Sequence, residues 1–227
     1  MDQPATTTHS WGLHLVTGNH DVELPWMSVT ALHNFMRRER ARKGGGALLS
    51  GNGLIKVHSP DQHTRLHLWL FEYMHAPCVF CYNGAGHGSY RPITKEQIDF
   101  FNHNSETNTL SLAFTHVPVK EYHQITHRLG SQHDTITDSG QGELYTTLSR
   151  RNVAVLSVGH DHTNDFCGQV NGGMHLCYAG GAGYTTYGRV GWARRARMFI
   201  VKNGVLSTYT RLDDRNFSQI HHQDLRT

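Results

Sequence analysis

Three short segments of the chain each place a histidine directly after a predicted strand. They are Gly18-Asn19-His20-Asp21, Phe114-Thr115-His116-Val117-Pro118 and Gly159-His160-Asp161-His162. Strand ends are where α/β folds gather their ligands and catalytic groups. Imidazole is the commonest metal ligand in proteins, and histidines combined with an asparagine and nearby carboxylates suit Zn, Mn or Fe. Such an ion would generate hydroxide and neutralise an anionic substrate.

The spacing within these segments adds two expectations about geometry. In extended backbone the side chains of His160 and His162 would project to the same side and could serve adjacent metal positions. We expect Gly18 and Gly159 to allow tight turns where a side chain would crowd the site. A single histidine is more often structural, so the metal hypothesis depends on the three segments together.

The elements that must position these residues alternate between strands and helices, which predicts an α/β or α+β fold. Strands are predicted at residues 13–17, 66–73, 110–114, 153–158 and 174–178, and helices at 28–43, after Thr94 and at 143–150. Thr94 and Gln97 form a capping box that opens the second helix, with Ile98 and Phe101 facing inward. Residues 196–201 and 205–210 predict a hairpin, because Asn-Gly tolerates the positive φ of its turn.

Length and composition restrict the class of protein. The 227 residues are enough for one α/β domain, and the charged fraction of 17% with a net charge of +3 excludes a disordered polyelectrolyte. No apolar run approaches the roughly 18 residues of a membrane-spanning helix. Residues 1–9 lack the basic start and apolar stretch of a signal peptide, and the compartment stays unknown.

Two further sets of residues have ordinary explanations. The basic run at residues 37–43 complements a helix C-terminus, and since no base-reading motif accompanies it, we expect no nucleic acid partner. Arg194 and Arg195 could meet an anionic substrate, although solvated surface cations are commoner. The glycines of 84–88 and 180–183 could cradle phosphate but lack a P-loop ending, so rim loops are the simpler interpretation.

The four cysteines, at positions 78, 81, 167 and 177, are too sparse for a disulfide scaffold. A reduced or a mixed compartment is compatible with this number. Cys78 and Cys81 have the spacing of half a zinc knuckle, but the second pair is missing. We therefore expect structural or unpaired thiols there.

In this order, the three histidine segments resemble the third, fourth and fifth motifs of the calcineurin-like metallophosphoesterases, and most closely their purple-acid-phosphatase-like eukaryotic branch. The resemblance extends through Glu121-Tyr122 and through the run from Gly159 to Gly168, and it is supported by residues 95–101, 176–184 and 191–197. It covers about residues 12–212. It implies the C-terminal portion of a metallophosphoesterase β-sandwich flanked by helices, with a polar N-terminus at 1–11 and a polar tail at 213–227.

The resemblance also implies roles for individual residues. Asn19, His116 and His160 would bind one metal ion, and His162 would bind a second. His20 would stabilise the transition state or protonate the leaving oxygen, while Asp21 would orient its neighbours without binding metal. The family reaction is the in-line attack of metal-bound hydroxide on a phosphate ester, with two Fe, Mn or Zn ions. The implied substrate is a phosphorylated compound, and the sequence leaves open whether it is a phosphoprotein, a nucleotide or a small phosphoester.

The sequence also departs from the family pattern. Family members carry an Asp-x-His motif and a Gly-Asp-x-x-Asp/Asn motif well before the Gly-Asn-His-Asp segment, whereas only 17 residues precede Gly18 and the chain has no Gly-Asp pair. Asp61-Gln62-His63 matches the first motif literally, but it follows Gly18, and we interpret it as chance. One metal position therefore keeps three candidate ligands and the other keeps one, so the chain could hold two ions, one or none.

Three explanations of this departure compete. The chain is a truncated form of a full enzyme, a shortened protein that has lost hydrolysis, or a domain that takes its missing ligands from another chain. We favour truncation, because a purely structural descendant would have no need for Asn19, His116, His160 and His162 together. The alternative function is a non-catalytic metal-binding or interaction module with the same fold.

Overall fold

A computed structural model describes residues 16, 18, 30–31, 34–35, 38, 52–58, 65–72, 93–140 and 142–225. The described residues between 30 and 38 are helical, within the helix predicted at 28–43. Val16 lies outside any strand, and the rest of the strand predicted at 13–17 is outside the described residues. No helix in the described segments is long and apolar enough to cross a membrane.

Besides the helical residues between 30 and 38, the described segments contain ten strands, two α-helices and one 3-10 helix. The strands are β1 (Asn52–His58), β2 (Arg65–Phe71), β3 (Leu110–Thr115), β4 (His127–Leu129), β5 (Val155–Val158), β6 (Cys167–Gln169), β7 (His175–Tyr178), β8 (Arg195–Lys202), β9 (Val205–Leu212) and β10 (Gln219–Asp224). The helices are α1 (Lys95–Asn104), the 3-10 helix (Lys120–Gln124) and α2 (Leu144–Arg150).

Seven strands form a mixed sheet in the order β1-β2-β3-β5-β7-β6-β4. Strands β2, β3, β5 and β7 are mutually parallel, and the outer strands pair antiparallel. The parallel strands are buried on both faces, as their nearly continuous apolar sequences predict. Because they are parallel, the loops that follow β3 and β5 leave the same edge of the sheet.

The helices cover one face of this sheet. Helix α1 begins at the predicted capping box, in which the Thr94 side chain accepts from the Gln97 backbone N–H and the Gln97 side chain accepts in return. Its Phe101 packs against Trp69 of β2 with ring centroids 4.7 Å apart. Leu148 of α2 is fully buried in the same layer. The prediction that Thr94 opens helix α1, with Ile98 and Phe101 facing inward, is confirmed.

A second sheet of three strands, in the order β10-β9-β8, lies on the opposite face. Its apolar residues pack against the first sheet in a separate core that includes Leu112, Val155 and Leu206. The hairpin between β8 and β9 turns at Asn203 and Gly204, both with positive φ, as the Asn-Gly pair predicts. Two packed sheets with helices on one outer face agree with the expected partial sandwich.

Strands β1, β4, β6 and β10 and one disulfide were not predicted from the sequence. Residues 219–224, inside the segment expected to be a polar tail, form β10 at the edge of the small sheet, and Leu225 is buried behind it. Cys167 and Cys177 lie directly opposite each other on β6 and β7 and are joined by a disulfide. Cys78 and Cys81 lie outside the described residues.

Candidate metal centre

Two of the predicted metal-binding histidines meet at one edge of the large sheet. His116 follows β3 and His160 follows β5, and these neighbouring parallel strands end in the paired residues Thr115 and Val158. The Nδ1 atom of His160 lies 3.3 Å from the Nε2 atom of His116, and their rings are nearly perpendicular, at 81°. The expectation that parallel strand ends gather these two side chains is confirmed.

The two nitrogens are within hydrogen-bond distance of each other, and the same separation fits two nitrogens that share one metal ion. With tetrahedral geometry and metal–nitrogen bonds of about 2.0–2.1 Å, two imidazole ligands have nitrogens about 3.3 Å apart. Neutral imidazole suits Zn, Mn and Fe. Within the described ranges no group of three His, Cys, Asp or Glu side chains surrounds a common point. A complete site would therefore need ligands in addition to His116 and His160.

The two glycines of the motifs differ in what they permit. A Cβ on Gly18 would lie 2.8 Å from both Cε1 and Nε2 of the His116 ring, which is closer than a side chain tolerates. The predicted crowding is therefore present at Gly18. A Cβ on Gly159 would lie 3.5 Å from the same ring, at ordinary contact distance, so crowding does not explain that glycine. Asn19, His20 and Asp21 lie outside the described residues.

The backbone of the last motif differs from the extended form assumed above. His160 has a φ of 67°, in the left-handed region, so the expectation that His160 and His162 project to one side of an extended segment is wrong. The turn directs His160 toward His116. His162 instead stacks on the exposed ring of Tyr187, with centroids 4.1 Å apart and planes 15° from parallel.

Tyr187 makes three hydrogen bonds with His162 and Asp134 besides this stacking contact. Its hydroxyl accepts from the backbone N–H of His162 at 3.0 Å and donates to Oδ2 of Asp134 at 2.9 Å. Its backbone carbonyl lies 3.3 Å from Nδ1 of His162. Burial raises the pKa of the Tyr187 hydroxyl to about 12, so this group is neutral at physiological pH and can donate to Asp134.

Two carboxyl groups beside His162 have opposite pKa shifts. Burial raises the pKa of Asp161 above its ordinary value, and hydrogen bonds from Tyr178 and Thr137 offset only part of this effect. Burial also acts to raise the pKa of Asp134, but hydrogen bonds from Thr163 and Tyr187 outweigh it, so the net shift is downward. Asp134 is therefore the stronger acid of the two.

The rest of the last motif is held by a buried network that the sequence analysis missed. Asp165 is fully buried and binds Nη1 of Arg195 at 2.7 Å and the backbone N–H of Ser131 at 2.7 Å. Arg197 donates to the backbone carbonyls of Asp165 and Tyr178. Arg195 is thus a buried ion-pair partner, which contradicts both its expected exposure and a contact with substrate. The alternation of β8, which places both arginines on one face, is the signal that could have revealed this.

The loop that carries Tyr187 is held by the neighbouring arginine. Arg194 donates to the backbone carbonyls of Thr186 and Tyr187 at 2.7 and 2.9 Å. A Cβ on Gly181 would lie 2.7 Å from the His162 carbonyl oxygen. The glycine run at 180–183 therefore permits close packing against His162. The Arg194 guanidinium hydrogen bonds to the loop backbone and not to a substrate site.

The described cavities lie elsewhere. A cavity of about 760 Å³ is lined by residues that include Arg65 and Leu110, which begin β2 and β3. These are the amino ends of the parallel strands, opposite the edge that carries His116 and His160. The histidine cluster is thus defined by its side-chain chemistry and not by one of these cavities.

Comparisons with known proteins agree with the resemblance. The chain is 39% identical over 130 residues to "Probable inactive purple acid phosphatase 29" of Arabidopsis thaliana, which is 50% of this chain and 33% of that protein. It is 39% identical over 132 residues to "Probable inactive purple acid phosphatase 28" of the same plant, which is 52% of this chain and 33% of that protein.

A fungal relative is named as a phosphatase without that qualification. The chain is 39% identical over 85 residues to "Phosphatase DCR2" of Saccharomyces cerevisiae, which is 32% of this chain and 15% of that protein. No family model matches the chain. The chain spans about a third of the length of the Arabidopsis relatives it matches. Over about half of its own length, it is a homologue of purple acid phosphatase-like proteins.

Proposed function

We propose that this homologue of the purple acid phosphatase-like proteins is a metal-dependent phosphoesterase, a hydrolase of the calcineurin-like class. The observation that carries the proposal is the 3.3 Å approach of the His116 and His160 ring nitrogens at the carboxyl edge of the sheet. Neutral side chains that converge in this way form a ready donor pair for Fe, Mn or Zn. The phosphatase names of the relatives support the reaction class.

Three residues would hold the first ion, namely Asn19, His116 and His160. The contact between Gly18 and the His116 ring supports the inclusion of Asn19, because Gly18 precedes it in the chain. His162 would bind a second ion. When bound, such ions polarise phosphate oxygens and lower the pKa of water.

Of the other motif residues, His20 would act on the ester itself. His20 would donate a proton to the leaving oxygen or stabilise the negative charge that develops in the transition state. Asp21 would orient its neighbours. The substrate would be a phosphoprotein or a small phosphoester.

A second candidate is a module of the same fold that binds metal, or a partner, without hydrolysis. The word "inactive" in the names of the Arabidopsis relatives favours this candidate. Both candidates use the donor pair of His116 and His160, and only the first requires turnover.

The test compares metal content and turnover in the same samples. Metal per chain is measured by elemental analysis on the purified 227-residue protein, alongside hydrolysis of p-nitrophenyl phosphate. The variants are His116→Ala and His160→Ala, and His127→Ala is the matched control because His127 is an exposed histidine on β4. We expect bound metal and turnover in the wild type and in the control, and loss of both in the two site variants.

The other outcomes separate the two candidates. Metal that both site variants lose, without turnover in any sample, would contradict the phosphoesterase and leave the metal-binding module. Metal that the site variants retain, or no metal in any sample, would contradict the proposed site itself.

A further inference from the structure

We propose that Tyr187 is a positioning residue that fixes the tautomer of His162, so that Nδ1 carries the proton and Nε2 presents its lone pair. The consequence for metal binding rests on the proposed function, in which His162 is a ligand. The tautomer itself is a property of the metal-free chain and can be tested separately. The sequence resemblance assigns no role to Tyr187.

The Nδ1 atom of His162 contacts a group that can only accept a hydrogen bond. The carbonyl oxygen of Tyr187, 3.3 Å from Nδ1 of His162, has lone pairs and no proton. A hydrogen bond between these atoms therefore requires a proton on Nδ1. A neutral imidazole carries one ring proton, which leaves Nε2 as the nitrogen with a free lone pair. In water a free histidine side chain favours the opposite tautomer, so the protein must supply the preference.

The carbonyl can set this preference because it is held in place. Arg194 donates to it at 2.9 Å and to the preceding carbonyl of Thr186 at 2.7 Å. From the other side, Gly181 packs against the backbone of His162 so closely that a Cβ would lie 2.7 Å from the His162 carbonyl oxygen. The two segments therefore approach each other with little freedom to slide.

The side chain of Tyr187 fixes the ring and the backbone of His162 together. The stacked rings, with centroids 4.1 Å apart, restrict rotation of the imidazole out of the plane of the Nδ1 contact. The Tyr187 hydroxyl accepts from the His162 N–H and donates to Asp134, and Asp134 also accepts from the Thr163 N–H at 2.8 Å. Metal-binding histidines generally donate their other ring N–H to a carbonyl or carboxylate, which orients the ring and raises its basicity.

A comparison within the same loop argues against general packing as the purpose of Tyr187. Tyr184, three residues earlier, has an exposed fraction of 72% and hydrogen bonds to Asp213, away from His162. Tyr187 has an exposed fraction of 55%, yet it makes four separate contacts with His162 and Asp134. The two tyrosines are thus a matched pair that differ in their relation to the histidine.

The first readout is the tautomer of His162 in metal-free protein, from long-range ¹H–¹⁵N NMR correlations of its imidazole. We expect the Nδ1–H form in the wild type and in Tyr184→Leu. In Tyr187→Leu the backbone carbonyl is retained, but loss of the stacked ring and of the hydroxyl frees the imidazole to rotate away from it, so we expect a shift toward the Nε2–H form. Tyr187→Phe, which keeps the ring and loses the hydroxyl, should lie between them and guards against misfolding of the leucine variant. The Nε2–H form in the wild type, or an unchanged tautomer in Tyr187→Leu, would overturn the proposal.

The second readout is Mn²⁺ affinity by titration calorimetry. Loss of a partner that orients a metal ligand weakens binding by about 10–100-fold, and we expect an effect of this size in Tyr187→Leu and none in Tyr184→Leu. His162→Ala separates a failure of the proposed role of His162 as a metal ligand from a failure of the proposed role of Tyr187. Unchanged Mn²⁺ affinity in His162→Ala contradicts the role of His162 in the proposed function, while the NMR result still decides the inference on Tyr187. Weaker binding in His162→Ala with wild-type affinity in Tyr187→Leu overturns the positioning role.

Discussion

The two arms of the candidate metal centre are built differently. In the first arm, His116 and His160 face each other across adjacent strand ends, and the ring nitrogens converge. In the second arm, His162 is surrounded by a layer of hydrogen bonds from the backbone and from Tyr187. The first arm is positioned by the register of the sheet, and the second by side chains from distant parts of the sequence.

This difference indicates how each arm tolerates change. Strand register between β3 and β5 is set by a buried core, so replacing a histidine at the strand end leaves the sheet intact. The second arm depends on buried polar groups, which are costly when one partner is lost. We therefore expect changes in the first arm to affect metal binding, and changes behind the second arm to affect folding.

The largest effect is expected for Arg195→Met, behind the second arm. This change leaves the fully buried Asp165 carboxylate without the guanidinium that it binds at 2.7 Å. Loss of one partner of a buried ion pair costs about 3–5 kcal/mol, and we expect a decrease of this size in the free energy of unfolding in urea. Amide hydrogen exchange should lose its protection at residues 163–166 before it does in β3.

The matched control for this prediction is Arg189→Met. Arg189 is exposed, and substitutions of this kind usually change stability by less than about 0.5 kcal/mol. The double change of Arg195→Met with Asp165→Asn should recover part of the loss, because it removes the unpaired charge. Equal stability in Arg195→Met and Arg189→Met would contradict the buried network as the support of the second arm.

A smaller effect is expected in the first arm, and only when metal is present. An ion that binds only the folded protein adds about 2.7 kcal/mol to the free energy of unfolding at 100 times its dissociation constant. We expect Mn²⁺ or Zn²⁺ to produce this increase in the wild type and none in His116→Ala. Without metal the two proteins should agree within about 1 kcal/mol, because the half-buried His116 lies at a strand end.

The control for the first arm is again the exposed His127, through His127→Ala. It should show the full stabilisation by metal. A stabilisation that survives in His116→Ala would mean that the ion binds somewhere else. A large loss of stability without metal would instead assign His116 a structural role and remove the contrast between the arms.

Local sequence signals predicted much of the fold. The capping box of Thr94 and Gln97, the Asn203-Gly204 turn and the apolar strands before His116 and His160 act through neighbouring residues, so the sequence suffices to find them. The polar strand β10 was missed, because its composition resembles that of a tail and its partner β9 determines its structure.

The distinction between features set by neighbouring residues and features set by distant residues applies to the candidate metal centre as well. The sequence predicted that His116 and His160 lie at strand ends, and the resemblance implied that they bind the same ion. In the structure they converge because β3 and β5 are neighbouring parallel strands that end at one edge. The left-handed turn at His160, the stacking of Tyr187 on His162 and the ion pair of Arg195 with Asp165 depend on residues that are distant in sequence or on a single backbone angle. Only the alternation of β8, which places Arg195 and Arg197 on one face, indicated that Arg195 is buried, and no pattern indicated the turn at His160 or the contact of Tyr187.

The smallest expected effect concerns the two carboxyl groups beside the second arm, measured in metal-free protein. Folding raises the pKa of Asp161, so the folded state binds more protons than the unfolded state as pH rises above the ordinary carboxyl value of about 4. The free energy of unfolding should therefore fall as pH increases from the ordinary pKa of the carboxyl group to the raised pKa of folded Asp161. Folding lowers the pKa of Asp134, so its contribution is present above the ordinary value and is lost as pH falls through the folded one.

Asp161→Asn should remove the loss of stability that occurs as pH rises above the ordinary carboxyl pKa. Asp134→Asn should remove the loss of stability that occurs as pH falls below it. Each amide keeps an oxygen that accepts a hydrogen bond, so the loss at constant pH should stay near 1 kcal/mol. The measurement is urea unfolding of both variants and the wild type between pH 2.5 and 7. Opposite changes in the slope of stability against pH support two different environments on either side of His162, whereas changes of the same sign would contradict them.

The pKa of Asp134 depends on the hydroxyl of Tyr187. Tyr187→Phe should therefore move the acidic transition of Asp134 toward higher pH, which ties the electrostatics of the second arm to the same side chain.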